Sequence, residues 1–173
     1  RLLGASDPDR HYHLGLSALI ARDGLLKRLP QADDLGWGRY FPDKEFLFHA
    51  LTGSASALGG DNAVLWLVPL LGVLVALLLY AELSRRLPAW QAAAVVCVGM
   101  LGTVGFLFRL TLLRPHLLAI ACFVLLLLAL LRARPRLAGL AAALFALSYH
   151  AFYLPLIVAG AAFVLRRQPG MPP

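Results

Sequence analysis

The chain has 173 residues, of which 60% are hydrophobic and only 14% are charged. A soluble domain of this length could not bury so much apolar surface, so the composition predicts an integral membrane protein. The formal net charge of +7 does not indicate nucleic-acid binding. Most of the excess Arg residues stand at the ends of apolar runs, whereas a nucleic-acid-binding protein gathers them on one polar face.

Acidic residues are concentrated near the start of the chain, where eight of the nine lie within the first 61 positions. We therefore predict an all-α fold, a polytopic membrane helix bundle with a large outer loop over residues 1–61 that contains short amphipathic helices. The chain begins without Met and ends just after an apolar run. We expect it to be an N-terminal fragment of a longer membrane protein.

The outer loop contains two predicted helical stretches. The first runs from Asp9 to Arg22, with Gly24 as its natural stop. Residues 28–42 are rich in Pro and Gly and are expected to form a loop. Residues 42–45 then have the pattern of a helix start, with Pro in the first turn and acids at the positive end of the helix dipole.

Residues 62–168 are predicted to form transmembrane helices, because apolar runs near twenty residues match the thickness of a bilayer. A small, flexible segment at 53–61 is expected to precede them. The stretch 137–165 is too long for one ordinary span and is interrupted near His150, so two short helices are favoured. The predicted spans are about 63–83, 89–108, 115–131, 137–150 and 152–166.

Arg clusters predict how the bundle lies in the membrane. They follow the first, third and last predicted spans, and with two helices at 137–165 they all fall on one side. The positive-inside rule makes that side cytoplasmic. We predict a bacterial inner membrane protein with residues 1–61 on the outer side. All five His residues then share the outer face, and polar groups that converge on one face of a membrane protein indicate a site.

Asp7 and Asp9 are two carboxylates, one residue apart, at the start of the first predicted helix. Mg²⁺ and Mn²⁺ prefer such oxygen ligands, so Asp9 is a candidate metal ligand. Either carboxylate could also act as a general base towards an acceptor. The simpler alternative is that one of them caps the helix.

Histidines provide a second group of candidates. His11 and His13 are two residues apart, so on a helix they point about 160° away from each other, which is poor for joint metal binding. His49 and His150 could add nitrogen ligands for zinc or copper. Ordinary interfacial histidines, or hydrogen-bond partners of a substrate, are the favoured interpretation of His11, His13 and His150.

Further charged groups are candidate substrate contacts. Arg109 and Arg114 border the outer ends of two predicted spans. They could bind a phosphate or pyrophosphate, or they could extend to lipid headgroups. Asp43 and Glu45 form a second acidic point in the loop, which could contact substrate or only complement a helix dipole.

Two stretches resemble the first outer loop of the GT-C glycosyltransferases. Residues 7–24 contain Asp7-Pro8-Asp9, then His11-Tyr12-His13-Leu14, and close with Asp23-Gly24. Residues 37–49 are similar to the aromatic and acidic segment later in that loop. The superfamily includes the oligosaccharyltransferase catalytic subunits and many bacterial enzymes, and Arg114-Pro115 and His150 fit its layout.

The resemblance implies transfer of a sugar from a polyprenyl-phosphate-linked donor at the outer face of the membrane. Asp9 or Asp7 would act as a base or through Mg²⁺ or Mn²⁺, with Asp43 or Glu45 as a secondary acid. This chain has no acidic residue in the connection at 109–114, where some members carry one. The implied partners are the lipid-linked donor and the bilayer, with no nucleic acid and an unidentified acceptor. A membrane transporter fragment or a non-catalytic ligand-binding protein is the alternative.

Overall fold

The computed structural model describes Asp7 and residues 9–166, with Arg166 described for its main chain only. All regular structure in this part of the chain is helical, which confirms the all-α prediction. A short 3₁₀ helix covers Pro30–Leu35. The seven α-helices are α1 (Arg10–Asp23), α2 (Phe46–Leu83), α3 (Ala89–Leu101), α4 (Val104–Arg109), α5 (His116–Leu131), α6 (Pro135–Ser148) and α7 (Tyr153–Arg166).

Helix α2 has 38 residues and is interrupted at two glycines. Gly60 has a φ of 62°, in the left-handed region that glycine adopts without a steric penalty, and Gly59 is also non-helical. Residues 53–58, which were expected to be flexible, are helical. In the described part of the chain, α2 is the one helix that is both long and apolar enough to cross a membrane.

The other apolar helices are shorter, with 13 residues in α3, 14 in α6 and α7, and 16 in α5. A 16-residue helix is about 24 Å long, less than the roughly 30 Å of a typical hydrocarbon core. The predicted span at 89–108 is not continuous, because Thr103 is extended between α3 and α4. The stretch at 137–165, predicted as two short helices, is divided between α6 and α7. The prediction of five membrane spans stays a prediction.

Helices α2, α5 and α6 pack around a shared apolar core that includes Phe48, Leu117 and Phe145. The part of α2 after Gly60 runs in the same direction as α5, and the C-terminal ends of the two helices are joined by an ion pair. Arg132 Nε lies 3.1 Å from Glu82 Oε2. At the other end of α5, Pro115 and His116 line one cavity with Glu45 just before α2, with His13 of α1 and with His150 at the α6–α7 break.

Candidate functional site

The site depends on a close contact between α1 and α2. The Ser17 and Thr52 hydroxyls share a hydrogen bond, and both side chains are buried. Next to them, a Cβ added to Gly53 would stand only 2.6 Å from the Ser17 carbonyl oxygen. One turn earlier on each helix, at the i−4 positions, are His13 and His49. The small residue at 53 thus lets the helices approach until these imidazoles meet.

His13, His49 and Asp43 form a buried hydrogen-bonded chain. His13 Nδ1 lies 3.0 Å from His49 Nε2, and His49 Nδ1 lies 2.9 Å from Asp43 Oδ2. Because the Asp43 carboxylate accepts the Nδ1–H of His49, the Nε2 atom of His49 keeps its lone pair. His13 can then donate its Nδ1–H to that lone pair. Glu45 Oε2 lies 3.9 Å from the same His13 nitrogen.

Burial shifts the pKa values of His13, Glu45 and Tyr12. It lowers the pKa of His13 to about 4, with a further lowering by His49, so the imidazole is neutral at physiological pH. Burial also raises the pKa of Glu45. For Tyr12, burial and then the Asp43, Glu45 and Asp9 carboxylates raise the pKa to about 12, so its phenol remains a proton donor.

Asp7 and Asp9 have different environments, although both contact Arg114. Asp7 is buried, its Oδ2 accepts the Leu113 N–H at 2.9 Å, and its Oδ1 accepts the Asp9 N–H at 3.2 Å. The Asp9 side chain is 51% exposed, and its Oδ2 lies 2.8 Å from Arg114 Nη2. Asp9 makes no side-chain capping bond to α1. Asp7 therefore anchors the loop, while Asp9 is left accessible.

A cavity of about 670 Å³ lies between the polar region of residues 9–45, here called the polar loop, and two helix ends: the start of α5 and the break between α6 and α7. It contains six of the nine predicted site residues: Asp9, His13, Asp43, Glu45, Arg114 and His150. The rest of its wall combines aromatic and charged side chains: Tyr12, Trp37, Phe41, Pro42, Lys44, Pro115, His116 and Tyr149. One space thus holds carboxylates, cations and aromatic rings.

Three predicted site residues do not line this cavity. Asp7 lies buried behind its wall, in contact with Leu113 and Arg114. His11 is exposed on another face of α1, since it is two residues from His13. Arg109 lines a separate, more apolar cleft with His116 and Tyr149. His116 and Tyr149 also line the main cavity, so the two spaces adjoin, and substrate contacts by His11 and Arg109 stay a prediction.

His49 is the central residue of this hydrogen-bonded chain, and the sequence suggested it only as an added nitrogen ligand for zinc or copper. It is fully buried and bridges His13 and Asp43. The available signal was its spacing, because Glu45 and His49 stand four residues apart at the start of α2 and Asp43 comes two residues earlier. Lys44 and Tyr149 also line the cavity without having been singled out.

The surroundings of Asp9 do not fit the predicted Mg²⁺ or Mn²⁺ ion. Its carboxylate is already paired with the Arg114 guanidinium, which also contacts Asp7. The two Asp7 oxygens are occupied by backbone N–H groups. A divalent ion at this point would be repelled by Arg114 and would find few free oxygens.

Comparison with protein-family models, with curated proteins and with solved structures found no match to this chain.

Proposed function

We propose that this protein is a membrane glycosyltransferase that transfers a sugar from a polyprenyl-phosphate-linked donor at the outer face of the membrane. The observation that carries the proposal is the pairing of Asp9 and Arg114 at 2.8 Å on the cavity wall. A base for the acceptor and a cation for the donor phosphate thereby stand side by side. The volume of about 670 Å³ suits a small-molecule site.

Arg114 is suited to bind the donor phosphate. Its guanidinium is permanently charged and matches phosphate oxygens with two parallel N–H groups. Its side chain is partly exposed on the cavity wall, so the guanidinium can be reached from the cavity. Helix α5 begins two residues later at His116, and its free amide groups also favour an anion.

Asp9 is suited to act as the general base. The acceptor oxygen attacks the anomeric carbon, while the bond from that carbon to the phosphate oxygen breaks. Asp9 takes the acceptor proton, and the phosphate leaves with the electron pair, its charge stabilised by Arg114. A bound phosphate would also compete with Asp9 for the guanidinium, which frees the carboxylate for its role as base.

The surface of the helices supports insertion of the whole bundle into a bilayer. Large apolar side chains stand exposed on several helices, more than an aqueous surface would carry. They include Trp66, Leu70, Leu77, Trp90, Val95 and Ile157. Glu82 joins Arg86 and Arg132 at the end of the bundle away from the cavity. The positive-inside rule would make that end cytoplasmic and the cavity external.

A transporter would carry its polar groups near the bilayer midplane, on broken helices. The break between α6 and α7 does carry a polar residue, His150, but this residue lines the same cavity as Asp9. That cavity lies at the end of the bundle, next to the polar loop. Its position favours a surface reaction on a lipid-linked substrate over passage of a solute.

The proposal is tested by the Asp9→Asn variant in the membrane-inserted protein, with turnover of polyprenyl-phosphate-linked sugars as the readout. Asp34→Asn, at an exposed position outside the cavity, is the matched control. We expect Asp9→Asn to bind the donor but to lose turnover, and Asp34→Asn to behave like wild type. Turnover by Asp9→Asn near the wild-type rate, or donor binding by wild type without any turnover, would reject the proposal.

A further inference from the structure

We propose that His13, His49 and Glu45 bind a divalent transition-metal ion of the zinc class. The ligand atoms are His13 Nδ1, His49 Nε2 and Glu45 Oε2, which all lie within 4.8 Å of one another. In the described part of the chain, this is the one cluster of three such side chains with that geometry. The proposal goes beyond glycosyl transfer and does not depend on it.

The distances match a tetrahedral ion once His13 carries its proton on Nε2, which leaves the Nδ1 lone pair free for the metal. Zinc bound by nitrogen and oxygen at about 2.0–2.2 Å separates neighbouring ligand atoms by about 3.3–3.5 Å. The two imidazole nitrogens are 3.0 Å apart, and the nitrogen of His13 is 3.9 Å from the Glu45 oxygen. These values lie on either side of the required separation, so shifts of a few tenths of an ångström suffice.

Asp43 supplies the outer partner that metal-binding histidines require. Ligating imidazoles almost always donate their second N–H to a carboxylate or carbonyl, which fixes the tautomer and the ring orientation. Asp43 accepts from His49 Nδ1 at 2.9 and 3.1 Å, so the Nε2 atom of His49 keeps its lone pair and faces His13 Nδ1. Both side chains are almost completely buried, which holds this orientation.

The three ligands indicate which class of ion would bind and how many coordination positions would stay open. Two imidazoles and one carboxylate suit zinc and similar borderline ions, whereas Mg²⁺ prefers oxygen ligands alone. Three protein ligands leave a fourth position open, as in catalytic zinc sites. His13 and Glu45 line the cavity, so the open position faces it. The charge also balances, because Asp43 and Glu45 together offset a dication.

The test uses the purified full chain after its metal has been removed with a chelator. One sample is dialysed against Zn²⁺ and its bound zinc is measured; a second is loaded with Co²⁺ and its absorption spectrum is recorded. We expect one zinc ion per chain in wild type and a tetrahedral Co²⁺ absorption band. His49→Gln should abolish both, while His11→Gln, at an exposed histidine outside the cluster, should keep both. Excess Mg²⁺ should not displace the zinc.

Glu45→Gln provides a second variant if loss of the fully buried His49 prevents folding. Its side chain is 21% exposed on the cavity wall, and the change removes a ligand charge with little change in shape. Asp43→Asn should weaken zinc binding by about 10- to 100-fold, the usual effect of losing an outer-shell partner.

The proposal is overturned if wild type holds no stoichiometric zinc, if its Co²⁺ spectrum stays that of the hydrated ion, or if His11→Gln loses as much metal as Glu45→Gln. Binding is measured without any sugar donor. Failure of the glycosyltransferase proposal would therefore leave this result unchanged.

Discussion

Gly53 of α2 lies against the main chain of Ser17 in α1, so closely that a Cβ at position 53 would be 2.6 Å from the Ser17 carbonyl oxygen. Main-chain atoms cannot move aside as a flexible side chain can. This contact therefore sets the separation of α1 and α2, and with it the 3.0 Å between the His13 and His49 nitrogens.

Gly53→Ala is accordingly expected to push the two helices apart. Overpacking of this kind costs about 1–3 kcal/mol of unfolding free energy. Zinc affinity should fall with it, because the imidazoles would separate. Thermal unfolding in detergent and zinc titration measure the two effects. Gly15→Ala is the matched control on α1, where an added Cβ meets nothing within 4 Å. A Gly53→Ala protein as stable as wild type would contradict the role of this contact.

Substitutions at Asp7 and Asp9 should have different effects: the first should lower stability, and the second should remove turnover. Asp7→Ala leaves the buried Leu113 N–H without its acceptor, which costs about 1–3 kcal/mol. The half-exposed Asp9 has no such buried partner, so Asp9→Ala should change the melting temperature little but remove turnover. Both quantities are measured on the same preparations. Equal destabilisation by the two substitutions would contradict the distinction between anchor and base.

Arg114→Lys keeps the positive charge but removes the planar fork that matches phosphate oxygens. Hydrogen bonds to charged groups contribute about 1.5–3 kcal/mol, so kcat/KM for the lipid-linked donor should fall by about 10- to 100-fold. Arg39→Lys, at an exposed loop position, should leave it unchanged. Wild-type kcat/KM in Arg114→Lys would argue against a phosphate at this guanidinium.

Single cysteines test how the bundle lies in the membrane. The two natural cysteines, Cys97 and Cys122, are free and are first replaced by Ser and Ala. A cysteine at position 9 and one at position 150 should then react with an impermeant reagent from outside the cell, whereas one at position 85 should not. Labelling of positions 9 and 150 from different compartments would refute the proposed topology, since both line one cavity.

Much of the helical layout could be predicted because it depends on local properties of the chain. Apolar runs and Arg clusters marked the regions of α2, α5, α6 and α7, and the polar stretch near His150 marked the break before α7. The break at Thr103 was missed because the residues on both sides are apolar. A continuous apolar run does not indicate where the backbone leaves the helical conformation.

Residue chemistry along the chain was enough to select Asp9, Arg114 and His13 as candidates, because charge and polarity next to apolar runs are visible without coordinates. It could not assign Asp7 to a buried anchor, since its partner Leu113 is 106 positions away. Nor could it pair His13 with His49. That pairing arises where two helices cross at Gly53, and such a crossing depends on packing between distant segments, which no local pattern encodes.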